Sequence, residues 1–154
     1  MSGGSAAEPQ RKDTSVQLKS EVAQVLKERV AVVTGAGGDP SIGRSVAIRL
    51  AEEGAKVAIF DIDAAGAEAA AAEIVAGGGE ALACACNVLD LPAIKAQVER
   101  ISGLWGRRID ILVNSAAWYK GMGGFKPFDE WTEEQWDKMM AVNVKGSWNM
   151  AKAV

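Results

Sequence analysis

Histidine is absent from this 154-residue sequence, and cysteine is scarce. Without an imidazole the chain can build neither a Ser-His-Asp triad nor a histidine-ligated metal site. The two cysteines, Cys84 and Cys86, offer too few ligands for a metal, so we predict no metal site. Residues two apart on a strand share a face and are poorly placed to form a disulfide. We therefore expect buried free thiols, which are typical of a reducing, cytoplasmic setting.

Long apolar segments and dense basic blocks are also missing. The alanine-rich run Ala64–Ala76 carries Glu68 and Glu73, which excludes it as a membrane span. Residues 1–15 lack the apolar core of a signal peptide. A net charge of −3 without a basic cluster argues against nucleic acid or an anionic membrane as a partner. We expect a soluble protein that binds neither.

The chain has the length of one domain, and its hydrophobic content of 49% is sufficient for a core. Residues 1–28 are predicted to form a flexible extension, with a weak helical pattern over 16–27. Residues 29–154 are predicted to form the domain. Within it, strands alternate with helices, which indicates βαβ units and a parallel sheet. The predicted strands cover 29–33, 56–60, 81–85 and 109–113, and the helices between them cover 41–53, Ala64–Ala76 and 91–104.

The stretch from 29 to 43 has the pattern of a nucleotide-binding turn. A β-branched strand is followed by a turn rich in glycine, and a helix begins at Ser41. In such a unit the amide groups and the dipole at the helix start favour a phosphate, which glycine lets approach the backbone. An ordinary strand-to-helix connection is the alternative interpretation of this stretch alone.

The last third of the sequence predicts a loop over 118–130 and then a helix. Thr132 and Gln135 have the spacing of a capping box, and the helix runs through Met140. A break or bend is predicted at 142–144, followed by a final helical stretch to Val154.

Four tryptophans are expected to pack elements together, whereas Trp118 is expected near a substrate. The four are Trp105, Trp131, Trp136 and Trp148.

Five motifs in order along the chain resemble the short-chain dehydrogenase/reductase family. Thr34-Gly35 with Ile42-Gly43 resembles its cofactor turn, and Asp61 lies where NAD-preferring members hold the adenosine ribose. Asn87-Val88 is similar to the step beside adenine. Residues 110–117 resemble the Asn-Asn-Ala-Gly strand end, and 142–146 resembles the segment with the active-site asparagine.

The resemblance implies a Rossmann-type, doubly wound α/β sheet of about four strands in the order 3-2-1-4. It implies an NAD(P)-dependent oxidoreductase acting on a small-molecule alcohol/carbonyl pair, with the complete enzyme a homo-oligomer. NAD is expected over NADP, because the Asp61 carboxylate would repel a 2′-phosphate. Asn143 is the candidate catalytic residue, ordering a proton-relay water. The candidate cofactor-binding residues are Gly35, Ser41, Ile42, Gly43, Asp61, Asn87, Val88, Asn114 and Ala116.

The sequence departs from the family pattern in several places. The turn is two residues longer than usual, with Ser41 in place of a glycine, and so resembles that of the enoyl-reductase branch, whereas the rest of the sequence favours the main branch. Asn87 replaces an aspartate, and Ser115 and Ala117 replace an asparagine and a glycine. The family's catalytic Ser and Tyr-x-x-x-Lys are not found, since Tyr119 is the only tyrosine and no lysine lies four residues on.

We therefore expect a truncated dehydrogenase that is inactive alone. A non-catalytic nucleotide-binding or regulatory domain that retains only the fold is the alternative.

Overall fold

A computed structural model describes residues 24–106, 108–119 and 127–154 of the chain. The predicted extension lies outside the described residues up to position 23, and so do residues 120–126 of the loop predicted over 118–130. The predicted helix over 16–27 is described only from 24 onward, where the chain forms a turn. The strands are β1 (Val30–Thr34), β2 (Lys56–Asp61), β3 (Glu80–Ala85) and β4 (Ile111–Asn114), and the helices are α1 (Ile42–Glu52), α2 (Ala64–Ala76), α3 (Leu91–Trp105), α4 (Glu133–Met140) and α5 (Ser147–Ala153).

The four strands form one parallel sheet in the order β3-β2-β1-β4, which confirms the predicted topology. Strand β1 is central, with Val32 paired to Ala58 of β2 and to Leu112 of β4. Every residue of β1 is buried, as expected for a strand covered on both faces. This order places β1 and β4 side by side, so that their carboxyl ends lie next to each other at the same edge of the sheet.

Each face of the sheet has its own apolar core. Helices α1 and α2 cover one face through small side chains such as Ala47 and Ala70, which pack on Ala31 and Val33. Helices α3 and α5 cover the other face, where Met150 lies in the same cluster as Val30, Val32 and Phe60. The period of two along β1 thus sends alternate residues into different cores. Alanine on the helices lets them approach the sheet closely.

The thiols of Cys84 and Cys86 are buried in the same core, as the sequence predicted. Burial raises the pKa of Cys84 to about 11, because a thiolate would lose its hydration there. Burial also raises the pKa of Cys86. Both groups are therefore neutral packing residues at pH 7.

Strand β4 begins at Ile111, two residues later than predicted, and Asp110 explains the difference. The carboxylate of Asp110 accepts hydrogen bonds from Val30 N at 3.0 Å and from Arg29 Nη1 at 3.1 Å. The Asp110 side chain therefore accepts the hydrogen bond from the Val30 amide, which a backbone carbonyl of a longer β4 would otherwise accept. The other predicted strand and helix ends agree with the structure to within one or two residues, the usual uncertainty of helix and strand ends.

Two of the four tryptophans do not pack as predicted. Trp136 is 42% exposed and Trp148 is 55% exposed, whereas Trp105, the last residue of α3, is partly buried against the core. Near the end of the chain it is Met150, two residues after Trp148, that is fully buried. Residues two apart on a helix point in different directions, so only one of the two can face the sheet. Aromatic character alone did not identify which one.

The bonds to Asp110 predict a pH-dependent contribution to stability. The hydrogen bond from Val30 and then the Arg29 guanidinium lower the pKa of Asp110. The carboxylate therefore stabilises the fold above its unfolded pKa of about 4, and this contribution disappears as the pH falls through the lower folded value. We expect Asp110→Asn to lower the urea midpoint at pH 7, with a deficit that shrinks below about pH 4.

The matched control for this measurement is Asp137→Asn, at an exposed position in α4. This variant should follow the wild-type midpoint at every pH. A deficit of Asp110→Asn that stayed constant from pH 7 to pH 3 would contradict the assignment.

Candidate dinucleotide-binding site

The turn between β1 and α1 presents the amino end of a helix at the sheet edge. Ser41 is the N-cap of α1, and its Oγ accepts a hydrogen bond from Arg44 N at 3.1 Å. No acidic residue occupies the first turn of α1. The positive end of the helix dipole is therefore not neutralised by a carboxylate within that turn, and an anion is favoured there.

Two glycines of this turn allow a backbone approach that no side chain permits. Gly35 has a φ of +68°, and a Cβ at that position would lie 2.6 Å from the backbone of Ala116. A Cβ on Gly43 would lie 2.6 Å from the carbonyl oxygen of Gly35. The turn, the start of α1 and the chain after β4 are thus in direct backbone contact.

Asp61, at the end of β2, faces the same turn. Its Oδ2 accepts a hydrogen bond from Gly37 N at 2.8 Å, and its Oδ1 accepts one from Asp63 N at 3.0 Å. Helix α2 begins alongside, since a Cβ on Gly66 would lie 2.5 Å from the Gly37 carbonyl oxygen. A carboxylate has about four acceptor sites, so Asp61 retains capacity for hydroxyl donors. Asp63 is the N-cap of α2, but its side chain makes no capping hydrogen bond.

Thr34 joins the site to β4, a role that the sequence reasoning missed. Its buried Oγ1 accepts hydrogen bonds from the amides of Ser115 and Ala116, both at 3.0 Å. These bonds hold the chain after Asn114 against Gly35. The available signal was a hydroxyl residue at the end of an apolar strand, because a polar side chain buried there requires a partner.

The chain after β3 contributes Asn87 and Val88. Asn87 Oδ1 accepts a hydrogen bond from Leu89 N at 3.0 Å, which leaves this exposed side chain in a local turn. Val88 is buried and contacts Asn149 of α5, a second residue that the sequence analysis did not identify. The Nδ2 of Asn149 donates to the Val88 carbonyl oxygen at 2.9 Å, and Asn149 is itself buried.

Asn143 lies in a π-helical segment, Ala141–Gly146, which joins α4 to α5. The bend predicted at 142–144 is this wider turn and not a break in the helix. Asn143 Oδ1 accepts a hydrogen bond from Trp118 N at 2.8 Å, and Ser147 Oγ donates to the Asn143 carbonyl oxygen at 2.9 Å. The asparagine thus holds the chain after β4 against the helix. π-Helical turns are frequent at functional sites.

The predicted site residues therefore lie along the carboxyl edge of the sheet. Direct contacts join Gly35, Gly43 and Ala116, and a separate hydrogen bond joins Asp61 to the turn. Asn87 follows β3 and Asn114 ends β4, so they lie at opposite ends of that edge, and Asn143 is connected to it through Trp118. The side chain of Ile42 is 80% exposed, so its contribution to a ligand would come from its backbone. In open α/β sheets this edge is where ligands bind.

The described residues lack two other kinds of site. They contain no group of three or more His, Cys, Asp and Glu residues that could hold a metal ion. None of their helices is long and apolar enough to cross a membrane.

Comparisons with known proteins give a consistent result. The family model described as short chain dehydrogenase matches residues 29–154. D-threitol dehydrogenase of Mycolicibacterium smegmatis is 38% identical over 129 residues, which cover 84% of this chain and 47% of that protein. Sorbitol dehydrogenase of Cereibacter sphaeroides is 40% identical over 129 residues, covering 84% of this chain and 46% of that protein. The chain spans about half the length of these curated relatives.

Solved structures show the same fold. A dehydrogenase/reductase from Sinorhizobium meliloti 1021 superposes with a TM-score of 0.74 and 34% identity, covering 86% of this chain and 50% of that one. An NAD⁺-bound xylitol dehydrogenase superposes with a TM-score of 0.74 and 33% identity, covering 84% of this chain and 47% of that one.

The close contact at the turn predicts opposite effects for two helical glycines. Gly43→Ala places a methyl group against a backbone carbonyl that cannot move aside, so we expect a loss of about 1–3 kcal/mol. Gly103→Ala, in α3, meets nothing within 4 Å and should gain up to about 1 kcal/mol from helix propensity. Urea unfolding of both variants measures the difference, and equal stability of the two would refute the predicted contact.

Proposed function

The chain belongs to the short-chain dehydrogenase family, and from this membership we propose that it forms the NAD-binding part of an alcohol/carbonyl oxidoreductase. The observation that carries the proposal is the placement of the Asp61 carboxylate against the glycine turn, through its 2.8 Å hydrogen bond with Gly37 N. An acceptor at the end of β2 and a free helix start at the end of β1 are the two recognition elements of a dinucleotide.

The residues present fit such a cofactor. Gly35 and Gly43 keep the turn clear of side chains, so the pyrophosphate can approach the amino end of α1. Asp61 would accept hydrogen bonds from the adenosine ribose hydroxyls, and Asn87 and Val88 would lie beside adenine. Ser41, Ile42, Asn114 and Ala116 complete the contacts with the cofactor. The bound nicotinamide would supply or accept the hydride.

Asn143 is proposed as the residue that orders a proton-relay water in the complete enzyme. Its Oδ1 already accepts a hydrogen bond from Trp118 N, so the water would be held by the rest of the amide or by the neighbouring backbone. The π-helical turn around Asn143 widens the backbone there, which supports this assignment.

NAD is proposed over NADP on electrostatic grounds. A 2′-phosphate at the ribose would meet the negative charge of Asp61, and the following residue, Ile62, carries no compensating charge. The NAD⁺-bound state of the xylitol dehydrogenase structure is consistent with this preference.

The substrate is proposed to be a small alcohol or carbonyl compound, because two relatives are named as threitol and sorbitol dehydrogenases.

We propose that the 154-residue chain does not turn over such a substrate by itself. Its single tyrosine, Tyr119, is exposed and has Gly123 in place of a lysine four residues on. The second candidate, a non-catalytic nucleotide-binding domain, is favoured by the same missing motif. The gene sequence after Val154 discriminates between them, since a continuing frame with Tyr-x-x-x-Lys supports the enzyme.

The complete enzyme is proposed to be a cytoplasmic homo-oligomer. The buried free thiols support a reducing compartment. An apolar stripe with four-residue spacing supports self-association, since it remains exposed along α4, the π-helical turn and α5. The stripe consists of Trp136, Met140, Val144 and Trp148.

The proposed cofactor preference is tested by titrating the chain with NADH and NADPH in a calorimeter. The wild-type chain should bind NADH more tightly. Asp61→Ala should lower NADH affinity roughly 10- to 100-fold, because hydrogen bonds to a charged group are lost, and should reduce the preference for NADH. Asp63→Ala, two residues away and without a capping hydrogen bond, is the matched control. Tighter binding of NADPH by the wild type would overturn the assignment.

The proposed inactivity of the chain is tested with purified protein, NADH and a panel of ketones and aldehydes. General acid–base assistance is typically worth about 10²–10⁴ in rate, so its absence should leave no measurable NADH oxidation. Turnover that is abolished by Tyr119→Phe would show that Tyr119 supplies the proton and that no further catalytic residues are required.

A further inference from the structure

We propose that Glu73 determines cofactor specificity by holding Arg44 away from the ribose 2′-position. The inference rests on the proposed function, which places the adenosine ribose at Asp61. A cofactor with a 2′-phosphate needs a cation there, and Arg44 is the nearest basic residue along the turn. Glu73 engages that cation, so it acts as a positioning residue without touching the cofactor.

The contacts of Arg44 carry this inference. Arg44 lies in the first turns of α1, and its guanidinium reaches across to α2. Its Nε and Nη2 approach Glu73 Oε2 at 2.8 and 2.7 Å, and its Nη1 lies 3.7 Å from Asp39 Oδ2. The Arg44 side chain is only 13% exposed, although both acids are on the surface. The guanidinium is therefore packed between two helices and held by two carboxylates.

The glycine turn separates this cation from the ribose position. Gly37 donates to Asp61 on one side, and Asp39, two residues later, faces Arg44 on the other. A guanidinium released from Glu73 would still face Asp39 in the same turn whose Gly37 contacts Asp61, and so would be available to a 2′-phosphate there. A phosphate carries more charge than the single carboxylate of Asp39, so it would compete for the released side chain.

The other basic residues of this region are engaged elsewhere. Between positions 35 and 94 the sequence contains only Arg44, Arg49 and Lys56. Arg49 pairs with two glutamates within and just after α1, and Lys56 pairs with Glu80 at the amino ends of β2 and β3. Asp61 is at the opposite end of β2. Arg44 is thus the basic residue of this range whose release from Glu73 would provide a cation for the ribose 2′-position.

The test compares Glu73→Ala with Glu68→Ala, an exposed glutamate on the same helix. Adenosine 2′,5′-bisphosphate and AMP serve as probes, because they differ only in the 2′-phosphate, and NADPH and NADH are titrated in parallel. Glu73→Ala should shift the affinity ratio roughly threefold to tenfold toward the 2′-phosphorylated ligand in each pair. Glu68→Ala should leave the ratio unchanged. A simple loss of helix packing would weaken both ligands of a pair alike.

A double variant isolates the role of the arginine. If Glu73 acts through Arg44, then Arg44→Gln combined with Glu73→Ala should abolish the gain, since no cation remains to be released. The inference would be overturned if the shift toward the 2′-phosphorylated ligand persisted in the double variant, or if Glu68→Ala gave an equal shift. In either case, NADH binding by the wild type would still support the proposed function. A wild-type chain that bound neither NADH nor AMP would overturn both.

Discussion

Close backbone contact at the glycine turn is the constraint on which the site depends. Gly35 lies against Ala116, Gly43 lies against Gly35, and Gly66 brings α2 onto Gly37. Each contact is shorter than a Cβ would allow, so β1, α1, α2 and the end of β4 converge only because side chains are absent there. This convergence exposes the start of α1 at the sheet edge, where an anion gains most from the helix dipole.

Hydrogen bonds made by three polar side chains, of which Thr34 and Asn149 are buried, connect this turn to the rest of the edge. Thr34 holds the chain after β4, and Asn149 joins α5 to Val88 after β3. Asn143 joins the π-helical turn to Trp118. A buried polar group is costly without a partner, so these residues specify one arrangement of the loops. The site is therefore assembled by the same bonds that attach the last helices to the sheet.

The charge around the turn is predominantly negative, which bears on ligand choice. Asp39, Asp61 and Asp63 lie in or beside the turn, and Arg44 is paired with Glu73 as well as facing Asp39. The helix start attracts a diphosphate locally, whereas the surrounding acids disfavour further phosphate groups. Under the proposed function, recognition of the ribose and rejection of a 2′-phosphate would be two results of one charge distribution.

The resemblance to a known family implied the sheet order. The sequence by itself determined the order and type of the strands and helices, the capping box at Thr132 and the turn that begins at Gly35. These features follow from hydrophobic periodicity, turn chemistry and motif spacing, which are local along the chain. Only the tertiary structure decided the partners of Thr34 and Asn149, the start of β4 at Ile111, the exposure of Trp136 and Trp148, and the pairing of Arg44 with Glu73. Each of these depends on which residues from distant parts of the chain meet, and local patterns carry no information about such contacts.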